Sequence, residues 1–125
     1  MRTRRLLLIE DDPDDVELTA LMLRGLGSAW EVEVVGGIGA AVARLPAGGL
    51  DLILMDLGLP DGRGAEAVRR VVSQAGGLPV VVQTGADHDE RVARDALQAG
   101  ARACLVKGKF DRDRLDEVLG PALPA

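Results

Sequence analysis

The chain alternates between short apolar runs and stretches whose apolar residues return every three or four positions. Arg5 to Ile9 is the first run, and it stops abruptly at Glu10-Asp11-Asp12. Asp12-Pro13 then predicts a helix start, with Asp12 as N-cap and proline at the first helical position. Asp14 and Asp15 fall in the first turn, where carboxylates favour the exposed N–H groups. Val16, Ala20 and Leu23 give this helix an apolar face, and Gly25 and Gly27 mark its end. Glu31 to Val35 predicts a second strand, with Val32 and Val34 on one side. Gly36-Gly37 predicts a break, and Gly39 to Leu45 a second helix ended by Pro46 and Gly48-Gly49. Asp51 to Asp56 predicts the third strand. Its Leu52-Ile53-Leu54-Met55 run is apolar on both faces, as expected of a central parallel strand covered by helices.

Gly58-Leu59-Pro60-Asp61-Gly62 reads as a loop, and Ala65 to Ala75 as a third helix. Pro79 to Gln83 predicts a fourth strand stopping at Thr84-Gly85. Asp89 to Ala99 predicts a fourth helix with Gly100 as its C′ residue. Ala103 to Val106 is the fifth strand, and Asp111 to Leu119 a last helix, capped by Asp111 and stopped by Gly120-Pro121. Five alternations in 125 residues imply one α/β domain, a doubly wound parallel sheet of five strands with helices on both faces. Residues 1–120 form that domain, and 121–125 read as a tail or the start of a linker. In such folds ligands sit beyond the carboxyl ends of the strands. That end collects Asp11 and Asp12 after the first strand, Asp56 at the end of the third, Thr84 after the fourth and Lys107 after the fifth.

Composition narrows the function. Apolar residues make up 47% of the chain and charged residues 28%, which suits a folded domain and not a disordered one. One Trp, one Phe and no Tyr leave almost nothing for base stacking, and a net charge of -5 argues against a duplex-binding face. The basic start, Arg2 to Arg5, is short and leads straight into a strand. The apolar stretch behind it is too short for a signal peptide or a membrane span, so a cytoplasmic location is expected. Cys104 is the only cysteine, which rules out an internal disulfide, and it reads as a small buried hydrophobe. The lone His88 reads as a surface loop residue, with Asp87 and Asp89 as loop and cap groups.

Asp11 and Asp56 are too far apart in sequence to form a helical pair, so only the fold can join them. With Glu10 nearby they would make a pocket of like charges, costly unless protonated or bound to a metal. Mg2+ prefers hard oxygen ligands, and two carboxylates, a backbone carbonyl and a phosphoryl oxygen suit it. Lys107 would add a positive charge, and the Thr84 hydroxyl a hydrogen bond. Such a set can stabilise the equatorial oxygens of a phosphoryl group during in-line transfer.

Four segments in order carry a resemblance: Leu8 to Asp12, Leu52 to Gly62, Val82 to Ala86, and Gly100 to Gly108. Along its length the chain resembles the response-regulator receiver family of two-component, phosphorelay signalling. The resemblance implies a flavodoxin-like, CheY-like sheet with strand order 2-1-3-4-5. It implies Asp56 as the residue phosphorylated by a histidine kinase or phosphotransfer protein, Thr84 as the switch hydroxyl and Lys107 as the lysine that pairs with acid and then phosphate. It further implies Mg2+ held by Asp11 directly, by Glu10 mostly through water, by Asp56 and by the carbonyl of Gly58. The implied output is a change in the face made by the fourth helix, fifth strand and fifth helix, which engages a partner, a fused output module or a second copy. Phosphoryl acceptance and slow self-hydrolysis do not make such a chain a dedicated enzyme, and neither nucleic acid nor membrane is an expected direct partner.

Two positions depart from the family pattern. Cys104 stands where Tyr or Phe is common, so the aromatic half of the switch cannot work in its usual form. Gly108 stands where proline usually follows the lysine through a cis bond. A non-proline cis bond costs about 2.5–4 kcal/mol, so a trans bond or a constrained loop is expected, with Gly108 free to adopt positive φ. Lys-Gly resembles receivers attached to sensor kinases, diguanylate cyclases or phosphatases. The competing readings are a pseudo-receiver that binds a partner without phosphorylation, and a haloacid-dehalogenase-like phosphatase. The second lacks the Asp-x-Asp spacing and room for a cap. Glycine-rich nucleotide motifs are absent.

Overall fold

A computed structural model describes residues 3–25, 30–85, 90–108 and 112–119. Gly27, Ala86 to Asp89, Asp111 and residues 120–125, all read from the sequence above, lie outside the described residues. β1 (Arg4–Ile9), β2 (Trp30–Val35), β3 (Leu52–Asp56), β6 (Val80–Thr84) and β7 (Ala103–Val106) form one sheet in the order β2-β1-β3-β6-β7, every pairing parallel. A separate antiparallel hairpin, β4 (Gly58–Leu59) and β5 (Gly62–Arg63), follows β3. Setting that hairpin aside, the order is the expected 2-1-3-4-5. The helices are α1 (Pro13–Arg24), α2 (Ile38–Arg44), α3 (Gly64–Gln74), α4 (Glu90–Gln98) and α5 (Arg112–Leu119).

The period of two along each strand divides the core into two layers. Leu7, Ile9, Ile53, Met55, Val80 and Val82 pack with α2, α3 and α4 on one face. Leu6, Leu8, Leu52, Leu54, Val81 and Leu105 pack with Leu23 of α1 and with Leu115, Val118 and Leu119 of α5 on the other. The unbroken apolar runs of β1 and β3 follow from this arrangement, because both of their faces are covered. β2 is an edge strand, and its Val34 is exposed.

Local chemistry sets the ends of the helices. Asp12 caps α1, its carboxylate accepting the Asp14 N–H at 2.9 Å, and Pro13 follows at the first position. α4 ends in a Schellman turn: Gly100, at φ 114°, donates to the Leu97 carbonyl, and Ala101 donates to that of Ala96. Pro46 does not stop the chain's winding as the sequence suggested. Leu45–Ala47 continues α2 as a 3-10 turn, a position where the missing proline N–H costs nothing. The segment from Gly58 to Gly62, expected to be a loop, contains the hairpin.

Candidate phosphoacceptor site

The carboxyl ends of β1, β3, β6 and β7 form one edge, and the chain leaves each strand there through a fixed backbone contact. The Glu10 N–H donates to the Val35 carbonyl at 3.0 Å, Leu57 N–H to Gln83, and Lys107 N–H to Thr84 at 2.9 Å. These bonds extend the sheet by a residue past β1, β3 and β7, so Glu10, Asp56 and Lys107 leave from rigid backbone. One ligand oxygen from each of Glu10, Asp11 and Asp56 falls within 4.8 Å of the others.

Lys107 reaches into this group from β7. Its ammonium lies 3.1 Å from Glu10 Oε2, 2.8 Å from Asp15 Oδ2 and 3.3 Å from Asp56 Oδ2. Burial alone would lower the lysine's pKa, but hydrogen bonds to Asp15 and Glu10, together with the charges of Asp56 and Glu10, outweigh it and raise it. Lys107 therefore stays charged throughout the neutral range. Glu10, only 4% exposed, also has a raised pKa: burial raises it against the hydrogen bonds from Lys107 and the Asp12 N–H, and the Asp56 charge adds to the rise. Three carboxylates around one ammonium, with Asp11 beside two of them, leave an excess of negative charge, and hard oxygens at this spacing are the donors a divalent cation such as Mg2+ takes.

Gly58 meets Asp56 through its N–H, which donates to Oδ1 at 3.1 Å. Thr84 is the last residue of β6, and not the residue after it as the sequence suggested. Its hydroxyl is buried and donates to the Gly85 carbonyl at 3.4 Å. Cys104 is half-buried against the α2–α4 layer, less enclosed than expected, and burial raises its thiol pKa. The described residues contain no cis peptide bond, and Gly108 takes φ 78°, the positive value that the sequence allowed.

Two residues were not read as part of this region. Asp15 was assigned to the helix N-terminus, yet it makes the shortest contact to Lys107. No local signal marked that contact, because Asp15 already satisfies the first-turn rule. Asp61 was read as loop, but its carboxylate accepts the N–H groups of Ile38 and Gly39 at 2.8 and 2.9 Å. It thereby joins the hairpin after Asp56 to the start of α2, and those two bonds hold its pKa below the usual carboxylate range.

The sequence profile of the response regulator receiver domain matches residues 6–119. The chain belongs to that family. Among curated proteins, the receiver is 39% identical over 85 residues to the DNA-binding transcriptional activator DevR/DosR of Mycobacterium tuberculosis, a match covering 66% of the receiver and 39% of that protein. The receiver spans less than half the length of relatives of this kind. Among solved structures, FixJ-N superimposes with a TM-score of 0.81 at 26% identity, covering 100% of the receiver and 99% of that chain. The receiver domain of sensor histidine kinase PA1611 of Pseudomonas aeruginosa PAO1 gives 0.78 at 30% identity, covering 96% and 97%, and was solved with a magnesium ion in its active-site cleft. Receiver domains are signalling modules and not dedicated enzymes. Among the described residues, no helix is long and apolar enough to cross a membrane.

Proposed function

We propose that this receiver accepts a phosphoryl group on Asp56 and uses it to switch a partner or a fused output module. The observation that carries the reading is the juxtaposition of Asp56, 12% exposed at the end of β3, with Lys107 and with the oxygens of Glu10 and Asp11. Mg2+, held by Glu10, Asp11, Asp56 and the Gly58 carbonyl, would neutralise charge on the transferring phosphoryl oxygens. The acidic oxygen set and the magnesium-bound relative support that assignment.

An Asp56 carboxylate oxygen attacks phosphorus, the bond from phosphorus to the donor breaks, and the donor leaves as imidazole or acetate. The Gly58 N–H and Lys107 hold the two Asp56 oxygens apart and fix the plane of the nucleophile. The Lys107 ammonium then offers its charge to a phosphoryl oxygen, and the Thr84 hydroxyl turns from the Gly85 carbonyl toward the same group. Because Thr84 also bonds the Lys107 backbone, movement there passes into β7 and the face it shares with α4 and α5. With Cys104 in the aromatic position, the hydroxyl and the lysine carry the switch.

Residues 1–120 form the receiver unit in this reading, with 121–125 as a tail or the start of a linker. A sensor histidine kinase or phosphotransfer protein is the phosphoryl donor, and the setting is the cytoplasm. A test is to incubate the protein with radiolabelled acetyl phosphate and Mg2+. The expected result is alkali-labile label, as an acyl phosphate gives, that disappears in Asp56→Asn and on chelation. A folded, Mg2+-binding protein that takes no label from acetyl phosphate or from a phosphohistidine donor would favour the second reading, a pseudo-receiver acting by binding alone, which Cys104 and Gly108 bring into view.

A further inference from the structure

Lys107 hydrogen-bonds two carboxylates, Glu10 after β1 and Asp15 in α1, and its ammonium forms an ion pair with a third, Asp56 at the end of β3. Its charge is therefore already shared among three elements before any phosphoryl group arrives. A phosphoryl oxygen must compete with those carboxylates for the lysine. The Asp56 carboxylate loses its own charge when it is phosphorylated, so its hold on the lysine weakens. Glu10 is fixed by burial and by the Asp12 N–H. Asp15 remains the competitor: it makes the shortest contact, its carboxylate is one-third exposed, and it pulls the ammonium toward α1.

Asp15 and Lys107 also border a crevice of about 30 Å³ with Leu18, Thr19, Met22 and Gln83, on the α1 side of the lysine. We propose that Asp15 is a positioning residue that holds Lys107 toward α1. It thereby limits how much of the lysine's charge the phosphoryl group receives, and draws part of that charge away from Glu10 and Asp56. The inference rests on the receiver reading of Asp56. It gives Asp15 two effects of opposite sign: neutralising it strengthens the lysine's hold on a phosphoryl group and weakens Mg2+ binding, because the freed ammonium competes for Glu10 and Asp56.

The test compares wild type, Asp15→Asn and Asp15→Glu, each also in a Lys107→Met background, after equal thermal unfolding has shown that all are folded. Beryllofluoride, a phosphoryl stand-in, is titrated at saturating Mg2+, and Mg2+ is titrated alone by calorimetry. Asp15→Asn is expected to bind beryllofluoride about fivefold more tightly, the scale of a strong half-exposed ion pair. It is expected to bind Mg2+ more weakly, and Asp15→Glu to return both toward wild type. In the Lys107→Met background the effect of Asp15→Asn on Mg2+ should largely vanish. An unchanged or weakened beryllofluoride affinity in Asp15→Asn, or the same Mg2+ shift with and without Lys107, would overturn the proposal. Failure of the receiver reading looks different: wild type itself would bind no beryllofluoride.

Discussion

Lys107 and Asp61 show how single side chains take meaning from the fold around them. Lys107 is the cation that answers the carboxylates at the strand ends, and it is only 24% exposed. Lys107→Met should therefore tighten Mg2+ binding, on the order of tenfold, by removing a competing charge a few ångströms away. The same variant should lose most of its hold on a phosphoryl group. Calorimetric titration of Mg2+ and of beryllofluoride reads the two changes. Asp61 acts elsewhere, at the start of α2. Its folded pKa is lowered by the Gly39 and Ile38 N–H groups, so its contribution is present above the unfolded value and lost as pH falls through the folded one. The stability gap between wild type and Asp61→Asn, measured by thermal unfolding, should be open at neutral pH and close below about pH 4. A gap that stays constant across that window would show that charge is not what Asp61 supplies.

At the level of elements, the helix ends facing the site and those away from it depend on different chemistry. Asp12→Ala removes the cap of α1 and should cost about 1 kcal/mol in urea denaturation. Gly100→Ala should cost more, roughly 2 kcal/mol or above, because φ is 114° and a Cβ there would sit 2.9 Å from Val72 Cγ1. Gly76→Ala, at φ 61° with no atom within 4 Å, carries the backbone penalty without the clash and should fall below it. The strands, the Asp12 cap and the Gly100 turn were all legible because each has its own local signal: an apolar run, an Asp-Pro pair, a glycine after helical spacing. The β4–β5 hairpin was not, since strands of two residues have no periodicity to read. Thr84 was placed one residue outside β6 for a similar reason, a polar residue closing an apolar run. Asp15 does lie in the first turn of α1 as read, and that local role hid its long-range partner Lys107.

For the whole molecule, the doubly wound sheet converts distant sequence positions into one charged edge. Asp56 and Lys107 meet only because β3 and β7 both run parallel to β1. The apolar layers on either side hold that edge in register, so truncating Leu54, fully buried against α1 and α5 neighbours, should cost about 2–5 kcal/mol. The most direct test of the account is the intact mass of wild type and Asp56→Asn after incubation with acetyl phosphate and Mg2+. Wild type alone is expected to gain one phosphoryl group, about 80 Da, and to show no gain when Mg2+ is chelated. An equal gain in Asp56→Asn would contradict the assignment of Asp56, and no gain in either folded protein with any phosphoryl donor would contradict phosphoacceptance itself.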